Sequence, residues 1–223
     1  MMNFFKSLWQ EFKSCPIDTV AKWQDARFLW LIMAAASIFL ILVAHTVFQH
    51  YVFMKPCEQC VYIRFAFLCM AIGGLVTAIN PQNIALKIIG YIFGFWGIIQ
   101  GIMYSVKLNI IHHAAHSDDP FGVQGCSAEA TFPLGLPMDK WAPDWFNPTG
   151  DCGFDSPIVP DGIELSGLRQ FLVEFYADGW YLIPSAHWGN MAQACLFAYI
   201  VCFILLGAMF ASWIIKMIQS KKA

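Results

Sequence analysis

Charge is what this 223-residue chain lacks: Asp, Glu, Lys and Arg make up 13% of it, against 58% hydrophobic and 16% aromatic residues, with a mean hydropathy of +0.56. A soluble globular domain carries about 25% charged residues, so a water-soluble fold is excluded. Internal repeats and low-complexity tracts are also missing, which leaves no repeat architecture. No small-residue cleavage site accompanies the first apolar run, so that run reads as a retained anchor and not as a signal peptide. Between 107 and 190 the only basic residues are Lys107, Lys140 and Arg169, against eleven acidic ones. A nucleic-acid surface needs clustered basic side chains, and none is offered there. A second CxxC, which would complete a four-thiolate zinc site, is absent as well.

What is present is four apolar stretches, at 28–48, 61–79, 85–106 and 191–215. Each is close to the roughly 20 residues that cross a bilayer. They predict an all-α membrane protein, a four-transmembrane-helix bundle with one long loop at 107–190. Lys and Arg set the orientation. The leader 1–27 carries Lys6, Lys13, Lys22 and Arg27; the tail 216–223 carries Lys216, Lys221 and Lys222; Lys87 flanks the short turn at 80–83. Both termini are therefore expected in the cytoplasm. The turn around Cys57 and the long loop, with Asp118, Asp119, Asp139, Asp151 and Glu174 among its acids, are expected outside. In a bacterial inner membrane that side is the periplasm, an oxidising compartment.

The long loop is rich in Pro, Gly, Trp and Asp, which forbids one long helix and predicts turns with short helical pieces. The exception is 165–176, where Leu165, Leu168, Leu172, Phe175 and Tyr176 recur at helical spacing with Arg169, Gln170 and Glu174 on the other side. That amphipathic helix either lies on the bilayer surface or packs on the rest of the loop. Trp180, Tyr181 and Trp188 suit the headgroup region.

Eight cysteines divide by compartment. Cys15 falls in the leader, and Cys69, Cys195 and Cys202 fall inside spans, where a thiol behaves as a small apolar packing residue. Cys57, Cys60, Cys126 and Cys152 are outside. Four cysteines permit three pairings; the two-residue spacing favours Cys57 with Cys60, leaving Cys126 with Cys152. At a helix start the Cys57 and Cys60 thiolates are favoured by the helix dipole and by unpaired N–H groups. Arg64, four residues beyond Cys60, lies on the same helical face about 6 Å further on.

Three uses of these cysteines compete. Static staples explain the Cys126–Cys152 pair, but closing a two-residue gap constrains little of the unfolded chain. A metal site built from His112, His113 and His116 (an HHxxH cluster) with the CxxC is disfavoured by the oxidising compartment and by placement on a loop; these histidines are expected to be solvated or to face headgroups. A dithiol–disulfide relay accounts for both pairs: one meets a soluble protein, the other a lipid-soluble electron acceptor. Arg64 reads either as a cation snorkelling to the interface or as an intramembrane charge that stabilises a Cys60 thiolate or a quinone oxygen.

The run from Phe48 to Arg64, FQHYVFMKPCEQCVYIR, resembles the bacterial DsbB family of quinone-dependent disulfide-forming membrane proteins. LPMDKWAP, from Leu136 to Pro143, and Gly150-Asp151-Cys152 are similar to that family's second outer loop. The resemblance spans about 27–210. It implies a thiol:quinone oxidoreductase that reoxidises a periplasmic thioredoxin-fold thiol oxidase, DsbA- or DsbL-like, and passes electrons to ubiquinone or menaquinone. By position, Cys57 and Cys60 match the quinone-proximal pair with Cys60 nearest the quinone. Cys126 and Cys152 match the loop pair, Cys126 forming the mixed disulfide with the partner, and Arg64 matches the quinone-side arginine. Two departures stand out: Ile63 replaces the family's usual acidic residue before that arginine, and the segment between Cys152 and the last span is longer. Both resemble the DsbI branch, whose partner is DsbL-type. The alternatives are a vitamin K epoxide reductase-like enzyme, whose CxxC would sit near the last span, and a non-catalytic, disulfide-stapled periplasmic docking protein.

Overall fold

The computed structural model describes residue 11, residues 13–117 and residues 126–220. Lys6, Asp118, Asp119, Lys221 and Lys222, which enter the charge argument, lie outside the described residues. A short helix, α1 (Pro16–Trp23), leads into α2 (Arg27–Leu42), which continues without a break as a π-helical segment, Val43–Tyr51. Next come α3 (Glu58–Ile79) and α4 (Ile84–Ala115). The long connection carries α5 (Met138–Trp141), α6 (Pro143–Phe146), α7 (Gly167–Phe175) and a hairpin of β1 (Tyr181–Ile183) and β2 (Trp188–Asn190) before α8 (Met191–Ser220). The strands are antiparallel, with Tyr181 opposite Asn190 and Ile183 opposite Trp188.

Four helices are long and apolar enough to cross a membrane, the first running through α2 and its π-helical continuation. α3 is the centre of the bundle, packed against α2 and α4, while α4 also packs against α8. Val61, Phe65, Ala66, Phe67 and Met70 bury α3 on every side, as expected of a helix apolar all round. The other three turn Ile32, Phe39, Ile92, Ile99, Ile204 and Leu205 outward, an arrangement that suits lipid and not water. The α3–α4 approach is close enough that a Cβ on Gly97 would stand 2.6 Å from the Ala66 carbonyl oxygen.

At the end of the bundle that holds α1 and the α3–α4 turn, polar groups are paired with one another. Lys87 is buried, ion-paired with Asp25, and its ammonium lies 5.6 Å from the centre of the Trp213 ring. The Tyr91 hydroxyl donates to Gln24 Oε1 at 2.5 Å, and Lys216 reaches Asp18 at 2.7 Å. Asp25 is half exposed, but its loss would leave the buried Lys87 ammonium without its carboxylate. Asp25→Ala is therefore expected to cost about 1–3 kcal/mol, read as an earlier unfolding midpoint in detergent, with Lys87→Met recovering part of the loss.

The helix expected over 165–176 forms as α7, but the apolar and polar sides read from the spacing do not separate cleanly: Arg169 is half-buried along with Leu172 and Tyr176. Arg169 faces the protein, its guanidinium 4.7 Å from the Tyr51 ring centre and 5.1 Å from that of Phe53. Leu168, Phe171 and Phe175 face out. Two aromatic faces at the end of the π-helical segment give the guanidinium a cation–π seat, and this turns an apolar edge of α7 away from the protein. Nor do the three aromatic residues share one environment: Tyr181 is buried, Trp180 is half-buried and Trp188 is exposed.

Candidate redox site

Cys57 caps the start of α3, its Sγ accepting the backbone N–H of Cys60 at 3.2 Å, and the two are joined in a disulfide. Cys126 and Cys152 form the second disulfide. The long connection is fastened over the CxxC turn from both sides. The Thr149 and Gly150 N–H groups donate to the Pro56 carbonyl at 2.9 and 3.0 Å. The Ser127 N–H donates to Glu58 Oε2 at 2.9 Å; Glu58 Oε1 accepts the Tyr62 hydroxyl at 3.1 Å; and the Thr131 N–H donates to the Tyr62 oxygen at 2.8 Å. A Cβ on residue 150 would meet the Lys55 carbonyl oxygen at 2.5 Å, so only glycine permits this approach. The residues next to each loop cysteine are thus pinned to residues next to Cys57. Both disulfides join one buried apolar cluster, and a small cavity is lined by Cys57, Cys60, Asp151 and Gly153. Exchange between two disulfides requires a thiolate of one pair to reach a sulfur of the other, and the shared cluster and the backbone bonds hold the two pairs in one region.

A larger cavity of about 200 Å³ also has Cys60 in its wall, with Phe48, Ile63, Phe67 and Ala194; its two basic groups are Arg64 and Lys55. Arg64 does not snorkel. It is buried, and its guanidinium donates to Gln49 Oε1 at 2.7 Å, to the Trp145 carbonyl at 3.1 Å and to the Ala44 carbonyl at 3.2 Å. All three acceptors are neutral, in keeping with Ile63 in place of an acid. These bonds use three of the five guanidinium N–H donors, leaving two without an acceptor among the described residues. Cys195, read as a packing thiol, also lines this cavity.

The HHxxH histidines are not on a loop. α4 runs beyond its apolar span to Ala115, which places His112 and His113 in its last turn and His116 at its C-cap. His112, expected to be solvated, is buried; its ring stacks on His116 with centroids 4.3 Å apart and its Nδ1 lies 3.3 Å from Asn190 Nδ2. The helix extension carries that side chain inward beside Gly153, while His113 and His116 stay exposed.

Asp155 lines both cavities that Cys60 lines. Burial pushes its carboxyl up to about 6, in spite of the Trp180 backbone N–H that favours the anion. Between its ordinary value of 3.8 and about 6 the folded protein holds a proton that the unfolded chain has released. Stability attributable to Asp155 is therefore present at low pH and lost as pH rises through that window. Asp155→Asn should remove this dependence: the difference in unfolding midpoint between variant and wild type should grow from pH 4 to pH 6.5 and then level off. A constant difference would show that the buried carboxyl does not titrate this way.

Sequence reasoning passed over Glu58, Gln49 and Asp155, and for a shared reason. Each acts on a residue distant in the chain, and only Glu58, inside the CxxC, had any local signal.

Four apolar helices, a CxxC disulfide capping one of them and a second disulfide fastened over it define a multi-pass membrane protein equipped for thiol–disulfide exchange. The chain belongs to the DsbB family: the family model described as "Disulfide bond formation protein DsbB" matches residues 26–209. Similar chains include a Campylobacter fetus protein bearing the name DsbI, 64% identical over 97% of this chain and 99% of its own. A Salmonella typhimurium "Protein-disulfide oxidoreductase DsbI" is 55% identical over 99% of this chain and 100% of its own, and an Escherichia coli protein of the same name is 54% identical over 96% and 98%. Membership makes this chain a membrane oxidoreductase of disulfide bond formation. It sets aside both the vitamin K epoxide reductase-like reading and the non-catalytic docking protein.

Proposed function

We propose that this protein is a thiol:quinone oxidoreductase of the bacterial inner membrane that reoxidises a periplasmic thioredoxin-fold thiol oxidase of the DsbL or DsbA type. The observation that carries it is that Cys60 and Arg64 share the wall of an apolar cavity while Cys57, the partner of Cys60, sits under the loop disulfide. The two termini are taken to be cytoplasmic and the long connection periplasmic, from the basic leader and tail.

In this reading the partner's thiolate attacks Cys126 and displaces Cys152. The Cys152 thiolate attacks Cys57 and frees Cys60 as a thiolate. The partner's second thiol then resolves its bond to Cys126, closing the partner's disulfide. Finally Cys126 attacks Cys152, restoring the loop pair and releasing Cys57. Two electrons and two protons have then moved from the partner's dithiol to Cys57 and Cys60, and every bond broken is matched by one formed.

Ubiquinone or menaquinone fits the cavity's chemistry, since a flat apolar ring with carbonyl oxygens needs apolar walls and a fixed donor. Phe48, Ile63, Phe67 and Ala194 would enclose it, and the two spare N–H donors of Arg64 would face an oxygen. Bound there, a quinone supplies the terminal two-electron acceptor. Arg64 holds positive charge beside Cys60, which favours its thiolate, and the apolar wall keeps bulk water from the thiols.

The test mixes purified protein with a reduced thioredoxin-fold partner and a soluble quinone analogue, and follows quinone absorbance. Quinol should form in proportion to partner disulfide. Partner oxidation without quinol would overturn the acceptor; neither product would overturn the function.

A further inference from the structure

His45, His50 and Asp144 form a cluster that the redox chemistry does not use. Their ligand atoms, two imidazole nitrogens and one carboxylate oxygen, all lie within 4.8 Å of one another. Asp144 Oδ2 is 3.3 Å from His45 Nε2 and 3.1 Å from His50 Nε2. Two ligands bound at about 2.0–2.1 Å on a tetrahedral ion stand about 3.3 Å apart, so these separations match the edges of one coordination face.

The backbone builds this face. In an α-helix, residues five apart point about 140° away from each other. The π-helical segment Val43–Tyr51 closes i→i+5 bonds, so His45 and His50 fall on adjacent turns with ring centroids 4.6 Å apart. The third ligand comes from α6, and it is held for the purpose. Gln49 Nε2 donates to the Asp144 carbonyl at 2.7 Å and to Oδ1 at 3.3 Å, leaving Oδ2 to the imidazoles. The Trp145 ring stacks on His45 at 3.6 Å and fixes the plane of that imidazole. These contacts orient the carboxylate and the His45 ring, while His45 Nδ1 is buried with no hydrogen-bond partner among the described residues. His45 is buried, while His50 and Asp144 are about half exposed, which gives an ion an entry path and an open position.

We propose that His45, His50 and Asp144 form a binding site for a divalent first-row ion of the Zn²⁺ class. Two imidazoles with one carboxylate select such ions over Mg²⁺ and Ca²⁺, which prefer all-oxygen shells. The site is separate from the disulfides but is wired to the larger cavity, since Gln49, which braces Asp144, also accepts from Arg64. Its existence does not depend on which acceptor the cavity takes.

The experiment is calorimetric titration of the purified, fully oxidised protein, carrying Cys15→Ser so that this exposed thiol does not compete, with Zn²⁺ alone and with Mg²⁺ as control. One equivalent of Zn²⁺ should bind and no Mg²⁺. His50→Ala and Asp144→Asn should each weaken Zn²⁺ binding at least about 100-fold, since loss of an outer partner alone costs about 10–100-fold, while the double replacement His113→Ala with His116→Ala leaves it unchanged. His50 is half exposed, so its variant keeps the fold even if the Asp144 one does not. Absence of Zn²⁺ binding by the parent protein, or affinity unaltered in His50→Ala, would overturn the site. Loss only in the His113 and His116 replacement would move it to the end of α4.

Discussion

Replacing Cys60 by serine is expected to stop multiple turnover while leaving one round of partner oxidation per chain. A serine oxygen closes no disulfide with Cys57, so Cys152 has no sulfur–sulfur bond to attack. The loop pair can still accept two electrons from one partner molecule, and there they stay. The assay should therefore show a burst of one partner disulfide per chain followed by a rate lower by at least about a thousandfold, with no quinol. The variant should fold, because the Cys57–Cys60 bridge closes too short a loop to restrict the unfolded chain much, and the Pro56 and Glu58 bonds that hold the connection do not involve Cys60. Continued turnover in Cys60→Ser would exclude the proposed order of electron flow.

Arg64→Gln is expected to separate the two halves of the reaction. The burst at Cys126–Cys152 should persist at its wild-type rate, since the Arg64 hydrogen bonds go to Gln49, Trp145 and Ala44 and not to the loop pair. Quinone use should fall about 100-fold in kcat/KM, the usual effect of deleting one preorganised donor at a site of developing negative charge. The loss should fall partly on KM for quinone and partly on kcat, because the guanidinium both offers donors to the ligand and favours the Cys60 thiolate. A purely structural role predicts something else. Gln49, Trp145 and Ala44 would lose a common donor, stability would drop by about 1–3 kcal/mol, and KM for the partner would change along with that for quinone. Arg64→Lys sharpens the distinction, since it keeps the charge but cannot supply the same fork of N–H groups. Lysine should recover thiolate formation at Cys60 without recovering quinone KM. An unchanged dependence on quinone concentration in Arg64→Gln would remove this residue from the acceptor site.

The amphipathic stretch near Arg169 shows where local pattern stops being informative. Spacing identified a helix, and α7 is there. Which of its faces turns inward was decided by Tyr51 and Phe53, more than a hundred residues earlier in the chain, whose rings attract the guanidinium. His112 makes the same point from the other side. Its neighbours in sequence read as a polar cluster at a span's end, but α4 continues as a helix past the apolar segment, and the inner face of that extra turn is buried.

Hydropathy and charge by themselves determined that this chain is a helical membrane protein with four spans, because a bilayer accepts little else over about 20 apolar residues. The spacing of Cys57 and Cys60 and the motifs around them were enough to point to the family. These are local properties, written in consecutive residues. What only the tertiary structure decided is how distant residues meet. The 149–150 and 127 backbone groups grip the CxxC turn, Arg64 is held by three neutral acceptors instead of an acid, and a π-helical segment brings His45 and His50 to one face opposite Asp144. Each of these depends on a contact between segments about 15 to 95 residues apart or on a helical pitch that no apolar periodicity encodes.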